Sequence, residues 1–544
     1  MGLYDTDRPS IGVSRPRLPG LLVCLVWLAG MATPFSSSAA TALYDVWEIQ
    51  VTNDKSYGNP FDFREIELQA TFTSPSNKTY DFFGFYDGDG QGGQTGNVWK
   101  LRFMPMETGT WNYTYTWTDG TTGGSGTFDV VDTGLPGPLQ VAADNPWYFE
   151  TARGEPFHFR GLGFQHWQIN VSRGIVTDRA QLMSDMQKDI DQGYNLFQVD
   201  GLIRRCASPI ESWWLECSEA GKTRFNVALW DGYEEILRFA NDRQVYIFPF
   251  AGMFYQGEQY DFTTFMVFLR YWAARFGPFY SHMGWSMTWE WTEVLQESYV
   301  NDVMTYLDSI TPFPKLYSIH DASRASFASW MGFSQRQQQA NDVFKGNCRS
   351  CGQHGGVESP HDQRPIIGAE DIWEAPAGEW GFPRNATEVM RGAWGDVLAG
   401  IMPLYSEWST VAGDVFGKGT GKPRIKILFD FLYSEVDYRR HQSLNSAVSA
   451  ADQQVASGIP NEEYLVYDQD GGSVTLDLSA AQGAVFQVLW LDPVTGTRYP
   501  QPDTDGGSQI TFNSPIAGDS VLLLRLRTDP QPATVPSGVA ASTN

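Results

Sequence analysis

Residues 178–202, DRAQLMSDMQKDIDQGYNLFQVDGL, decide how the central part of this chain folds. Leu182, Met186 and Ile190 recur at helical spacing, Gly193 supplies a cap, and NLFQVDG is a short apolar run of the kind that forms a buried strand. The same helix-then-strand order returns in GYEEILRFANDRQ before VYIFPFAGMFY, in TTFMVFLRYWAARFG before GWSMTWEWTE, and in YVNDVMTYLDSITP before KLYSIHDAS. RPIIGAED and ATEVMRGAWGDVLAGIMPLYSEW complete the series. About eight alternations over roughly 300 residues predict a central (β/α)8 TIM barrel; a doubly wound sheet is the other fold with this texture.

On either side the period changes from helical to two. DVWEIQVT, REIELQATFT, NVWKLRFMP, GTWNYTYTWTD and GTFDVVD are strand-like runs separated by Gly, Asn, Asp and Pro turns, and predict an N-terminal β-sandwich over 41–133. EEYLVYDQDGGSVTLDLS, AVFQVLWLDPVTGTRYP and DSVLLLRLRT predict a second sandwich over 456–528, leaving 134–455 for the barrel. Pro, Ser and Ala dominate 529–544, an expected disordered tail.

A hydrophobic content of 42% with 14% aromatics is enough for large packed cores. The formal net charge of −25 repels nucleic acid and anionic membrane surfaces, which removes both from the expected partners. Arg15 and Arg17 precede LPGLLVCLVWLAGMA, too short an apolar run to span a bilayer, and small residues follow. This is the pattern of an export signal over 1–40, cut near Ala40, and it implies a secreted or periplasmic chain without stable membrane insertion. Cys206, Cys217, Cys348 and Cys351 would then be available for disulfides. Cys348 and Cys351 with His354 and His361 are an alternative zinc set, but their spacing repeats no standard finger; no metal or cofactor is expected. DGDGQGG, residues 87–93, could hold calcium, although the later glutamate of an EF-hand is not at the required offset.

In a barrel of this kind, chemistry sits at the C-terminal ends of the strands. Those ends carry His166 and Trp167 after the first strand, Asp200 after the second, Glu290 and Glu293 after the fourth, His320 after the sixth, and Glu370 after the seventh. Glycoside hydrolysis needs two facing carboxyls, one to protonate the leaving oxygen and one to attack or to activate water. Strand ends four and seven face each other across a barrel mouth, so Glu293 is the expected acid/base and Glu370 the expected nucleophile. Glu290 is the other carboxylate in that run of tryptophans, and rings there either frame a catalytic carboxyl or stack on sugars. Trp373 and Glu374, placed in the loop after strand seven, join His320, His166, Trp167, Asp200 and Glu290 as expected substrate contacts. A noncatalytic carbohydrate-binding or adhesion protein on the same scaffold is the rival reading.

Taken together, NVWKLRFMPMETGTWNYTYTW, GPLQVAADNPWYFETARGEPFHFRG, TWEWTEV, LYSIHDAS and RPIIGAEDIWE resemble the apiosidase-like (β/α)8 glycoside hydrolases of bacteria. The resemblance runs from about residue 43 to 527 in module order. It implies an N-terminal β-sandwich, a retaining glycosidase with Glu293 as acid/base and Glu370 as nucleophile, and a C-terminal module of the type labelled putative collagen-binding. The chain departs from the family's pattern at GLGFQHW, which keeps Trp167 but has no acidic residue, and at Thr292, where the family has Asn. The implied partner is a plant, algal or microbial polysaccharide.

Overall fold

The computed structural model describes residues 40–163, 179–199, 223–249, 261–286, 295–320, 329–336, 364–374, 385–407, 419–449, 454–469 and 471–527. Together they form a mixed α/β structure of three parts in chain order.

The first part holds a five-stranded sheet and a three-stranded sheet. Alternation along the strands turns Trp47 and Phe103 of the smaller sheet toward Phe72 and Phe128 of the larger one, with Phe72 stacked on Phe103 at 4.0 Å and Trp47 on Phe128 at 4.4 Å. A hairpin, Leu139–Val141 with Phe149–Thr151, leads to the central part.

Eight parallel strands follow: β1 (Gly161–Gly163), β2 (Leu196–Gln198), β3 (Tyr246–Phe248), β4 (Gly284–Ser286), β5 (Leu316–Ser318), β6 (Ser334–Arg336), β7 (Ile366–Glu374) and β8 (Met402–Glu407). Six lie in one sheet, ordered β3-β2-β1-β8-β7-β6, and β4 pairs with β5. Hydrogen bonds from Ile247 N to Ser281 O (2.7 Å) and Met283 N to Ile247 O (3.0 Å) tie β3 to the approach of β4, and Gly332 N to Tyr317 O (2.8 Å) ties β5 to the approach of β6. Helices α1 (Arg179–Ile190), α2 (Val227–Arg243), α3 (Phe262–Phe276), α4 (Glu297–Ile310), α5 (Ala386–Leu398) and α6 (Lys422–Glu435) run between or after the strands. Leu182 and Met186 of α1 are buried, as the helical spacing predicts. An Asn385–Glu388 capping box starts α5 and Pro423 sits in the first turn of α6.

Counting the strands corrects one placement. LYS, 316–318, is the fifth parallel strand rather than the sixth, so His320 follows β5. The sixth is Ser334–Arg336, whose sequence SQR has no apolar run to betray it. Further on, α6 stops at Glu435, and Gln442–Ser443 already pairs with Gln454–Ile459.

That pairing begins the third part, a six-stranded antiparallel sheet with a two-stranded partner, closed around Val466, Trp490, Leu522 and Phe486. Its sheet thus starts ahead of the boundary at 456 that alternation suggests, because a two-residue strand cannot display period two.

Polar contacts fasten both flanking parts to the helices. Arg102 and Arg275, fully buried, share Glu234, while Arg275 also reaches Asp87 at 3.0 Å and Asp231. At the other end Arg391 of α5 holds Asp519 through two bonds of 2.7 Å, Tyr467 donates to the same carboxylate at 2.7 Å, and Trp394 stacks on Tyr467.

Candidate active site

Which side of the parallel strands faces inward is fixed by Phe248 on β3. Its ring lies 5.7 Å from that of Phe333, just ahead of β6, on the far side of the strand set. Gln198, Gly163, Ser406 and Trp373 are successive register partners of Phe248 across β2, β1, β8 and β7, so they share its inward face. Ser286 at the end of β4 accepts a 2.8 Å bond from Gln335 Nε2 on β6, and Ser318 donates to Phe333 O at 2.7 Å. A tier of buried polar side chains therefore crosses the interior near the C-terminal strand ends, where a packed core alone would place only aliphatic groups.

Glu370 lies on β7 three residues before Trp373. The register between β7 and β8 shifts between Gly368 and Ile372, a bulge that re-aims the residues within it. Glu370 Oε2 lies 3.4 Å from His320 Nε2, with the imidazole fully buried and the carboxylate 21% exposed. Burial pushes the His320 pKa down to about 3, so the ring is neutral at ordinary pH. A neutral imidazole can present an N–H to a carboxylate without introducing a charge that titrates near neutrality. The bulge also turns the next residue away: Asp371 is buried, and both its Oδ2 and Asp396 Oδ2 of α5 approach the position where a Gly368 Cβ would stand, at 2.8 and 3.2 Å.

Trp373 and Glu374 lie within β7, not in a loop after it. Trp373 is 8% exposed and beside Ser406. Glu374 points outward to the start of α6, where it accepts from Tyr405 Oη at 2.6 Å, Thr420 N at 2.9 Å, Thr420 Oγ1 at 3.2 Å and Gly421 N at 2.8 Å. A carboxylate at a helix N-terminus, saturated by backbone N–H groups, is a mechanical clamp. Tyr405 Oη also lies 3.2 Å from Glu407 Oε1, and burial with these two carboxylates raises the phenol pKa.

Of the residues expected in the site, the structure brings together Glu370 and His320. Glu290, Glu293, His166, Trp167, Asp200, and Cys206, Cys217, Cys348 and Cys351 with His354 and His361, lie outside the described residues. Among the described residues no group of three or more His, Cys, Asp or Glu side chains could hold a metal ion. The Asp87–Gly93 loop has other uses for its carboxylates: Asp87 binds Arg275 and, at 2.6 Å, Lys100, and Asp89 Oδ1 accepts from Gln91 N and Gly93 N at 2.8 Å each. Gln198, Ser286, Gln335 and Ser406 are not singled out by reading the sequence. For Gln198 and Ser406 the signal was a polar residue inside an apolar strand run, as in NLFQV.

Comparison with known proteins agrees with this architecture. Residues 41–118 match a family described as a domain of unknown function (DUF5060), and residues 442–525 match the "Putative collagen-binding domain of a collagenase". No curated protein matches the chain. A crystal structure described as "a putative glycoside hydrolase from Bacteroides vulgatus ATCC 8482" superposes with a TM-score of 0.71 at 18% identity, covering 90% of this chain and 100% of that one. A glycoside hydrolase family 5 structure from the same organism gives 0.58 at 18% identity over 72% of this chain and 95% of its own. Another solved structure, described as "Glycoside hydrolase", gives 0.57 at 17% identity over 72% and 98%. Among the described residues no helix is long and apolar enough to cross a membrane. At these identities the likeness is one of fold, and the fold this chain shares is that of solved structures described as glycoside hydrolases.

Proposed function

We propose that the protein is an exported glycoside hydrolase, acting in a secreted or periplasmic setting on the O-glycosidic bonds of a polysaccharide by a retaining, two-carboxylate mechanism. In this reading β1 to β8 close into a complete (β/α)8 barrel between two β-sandwiches. Glu370 attacks the anomeric carbon while Glu293 protonates the departing oxygen; Glu293 then takes a proton from the water that releases the sugar from Glu370. His320, whose Nε2 lies 3.4 Å from Glu370 Oε2, keeps the attacking oxygen aimed. Trp373 walls the sugar site, joined by His166, Trp167, Asp200 and Glu290 from strand ends one, two and four. Glu374, which the sequence suggests as a sugar contact, is assigned to holding β7 against α6.

One observation carries the proposal: a partly exposed carboxylate, re-aimed by a strand bulge, sits 3.4 Å from a fully buried neutral histidine at the C-terminal end of a parallel strand set. Incubating the protein and its Glu370→Gln variant with a panel of plant and algal polysaccharides tests the reading: reducing sugar is expected from the wild type alone. Glycan binding by both with release by neither would move the protein to the binding class. For retention, the Glu293 and Glu370 carboxyls must stand roughly 5 to 5.5 Å apart, and about 9 Å would mean inversion.

A further inference from the structure

Two fully buried polar side chains of the strand interior have no hydrogen-bond partner among the described residues: Gln198, at both amide atoms, and Ser406, at its hydroxyl. Buried polar groups are almost always paired, because leaving an amide or hydroxyl desolvated is costly. Both belong to the inward register row and flank Gly163, which is the Cα partner of each. A Cβ at Gly163 would stand 2.1 Å from Ser406 Oγ, so glycine is what lets the serine lean across β1 toward Gln198. The row continues to Trp373 through Ser406. An amide and a hydroxyl on either side of a glycine, with an indole in the same row, make a floor of hydrogen-bonding groups with an aromatic flank, the usual composition of a sugar site.

The floor is also uncharged. Gln198, Ser406, Ser286 and Gln335 are neutral by chemistry, and the His320 ring is neutral through burial. Among the described residues of this row, a uronate or sulfate group seated here would be desolvated with neutral groups to answer its charge. At long range the chain's net charge of −25 repels polyanionic glycans as well. We propose that Gln198 and Ser406, on either side of Gly163, hydrogen-bond one hydroxyl of the substrate sugar and restrict the enzyme to neutral glycans. This rests on the hydrolase reading above; within it, Gln198 and Ser406 are specificity residues that take no part in bond cleavage.

The test uses the full-length protein and aryl glycosides of neutral sugars, their uronic acid counterparts, and a monodeoxy series of the neutral glycoside cleaved best. The wild type is expected to cleave neutral glycosides, to leave uronides uncut, and to reject one monodeoxy analogue by about tenfold or more in kcat/KM. Gln198→Leu raises KM for the parent glycoside about 5- to 20-fold with kcat within about threefold, and its rejection of that one analogue collapses toward unity. Ser406→Ala, the milder change, moves the same two quantities in the same direction by about 2- to 5-fold. The proposal is overturned if both variants fold and cleave with unchanged KM and unchanged deoxy discrimination, which would give these groups to buried water, or if the wild type prefers uronides. Wild-type protein that cleaves no glycoside and no polysaccharide fails the hydrolase reading itself, an outcome distinct from activity whose selectivity ignores Gln198 and Ser406.

Discussion

The two faces of β7 carry nearly the same chemistry and do opposite work. Inward, Glu370 is partly exposed beside a buried neutral histidine. Outward, Glu374 is held by a phenol, a hydroxyl and two backbone N–H groups at the start of α6. Both are glutamates of the single stretch GAEDIWE, and the bulge between Gly368 and Ile372 sorts them. The difference teaches that a carboxylate is identified as reactive by what leaves it accessible and as structural by what saturates it; residue type and nearness to a strand end do not distinguish the two.

Substitutions on the two faces break or sharpen that contrast. Glu370→Gln removes the attacking oxygen while keeping the side chain's size, so turnover is expected to fall at least about 10³-fold, roughly 4 kcal/mol of barrier, with the melting temperature little changed. Comparable loss of stability and activity would make Glu370 a structural group. Glu374→Ala inverts the pattern: denaturant unfolding should show a loss of about 2–3 kcal/mol, because Tyr405 and the α6 N-terminus lose their acceptor, while kcat at low temperature stays within a few-fold of wild type. Gly419→Ala attacks the same clamp sterically, since its Cβ would stand 2.2 Å from Tyr405 Oη and 2.6 Å from Glu374 Oε2; about 1–2 kcal/mol of destabilisation is expected, again without a kinetic signature.

The smallest effect is a pH dependence on the inward face. His320 is neutral when folded, with a pKa of about 3, but takes a proton near pH 6.5 when unfolded. The unfolded state therefore binds more protons below pH 6.5, and stability is lost as the pH falls from there toward 3. Between pH 6.5 and 5 the expected loss from this one group is about 1–2 kcal/mol, and His320→Asn should flatten that part of the stability curve. Steeper acid loss in the variant than in the wild type would contradict a neutral buried imidazole.

Much of this was legible in the sequence where periodicity ran long. The burial of Leu182 and Met186 in α1 and the alternation of Trp47, Phe72 and Phe128 follow directly from spacings of 3.6 and 2. Ser334–Arg336 was not legible, since three polar residues owe their strand conformation to pairing with β7, and missing it misnumbered the strand before His320. At the site, Glu370 and His320 stood out as ionisable groups after apolar runs. Their approach, and the outward turn of Glu374, depend on a bulge that no local pattern encodes. Gln198 and Ser406 were hidden for a different reason: a polar residue within a strand reads as an exposed position until the other strands show that its face is interior.

The most direct test of the whole account is released reducing sugar from neutral polysaccharides, measured side by side for wild type, Glu370→Gln and Glu374→Ala at a temperature where all three are folded. The account predicts release by wild type and Glu374→Ala and none by Glu370→Gln. Release by Glu370→Gln at the wild-type rate would contradict it.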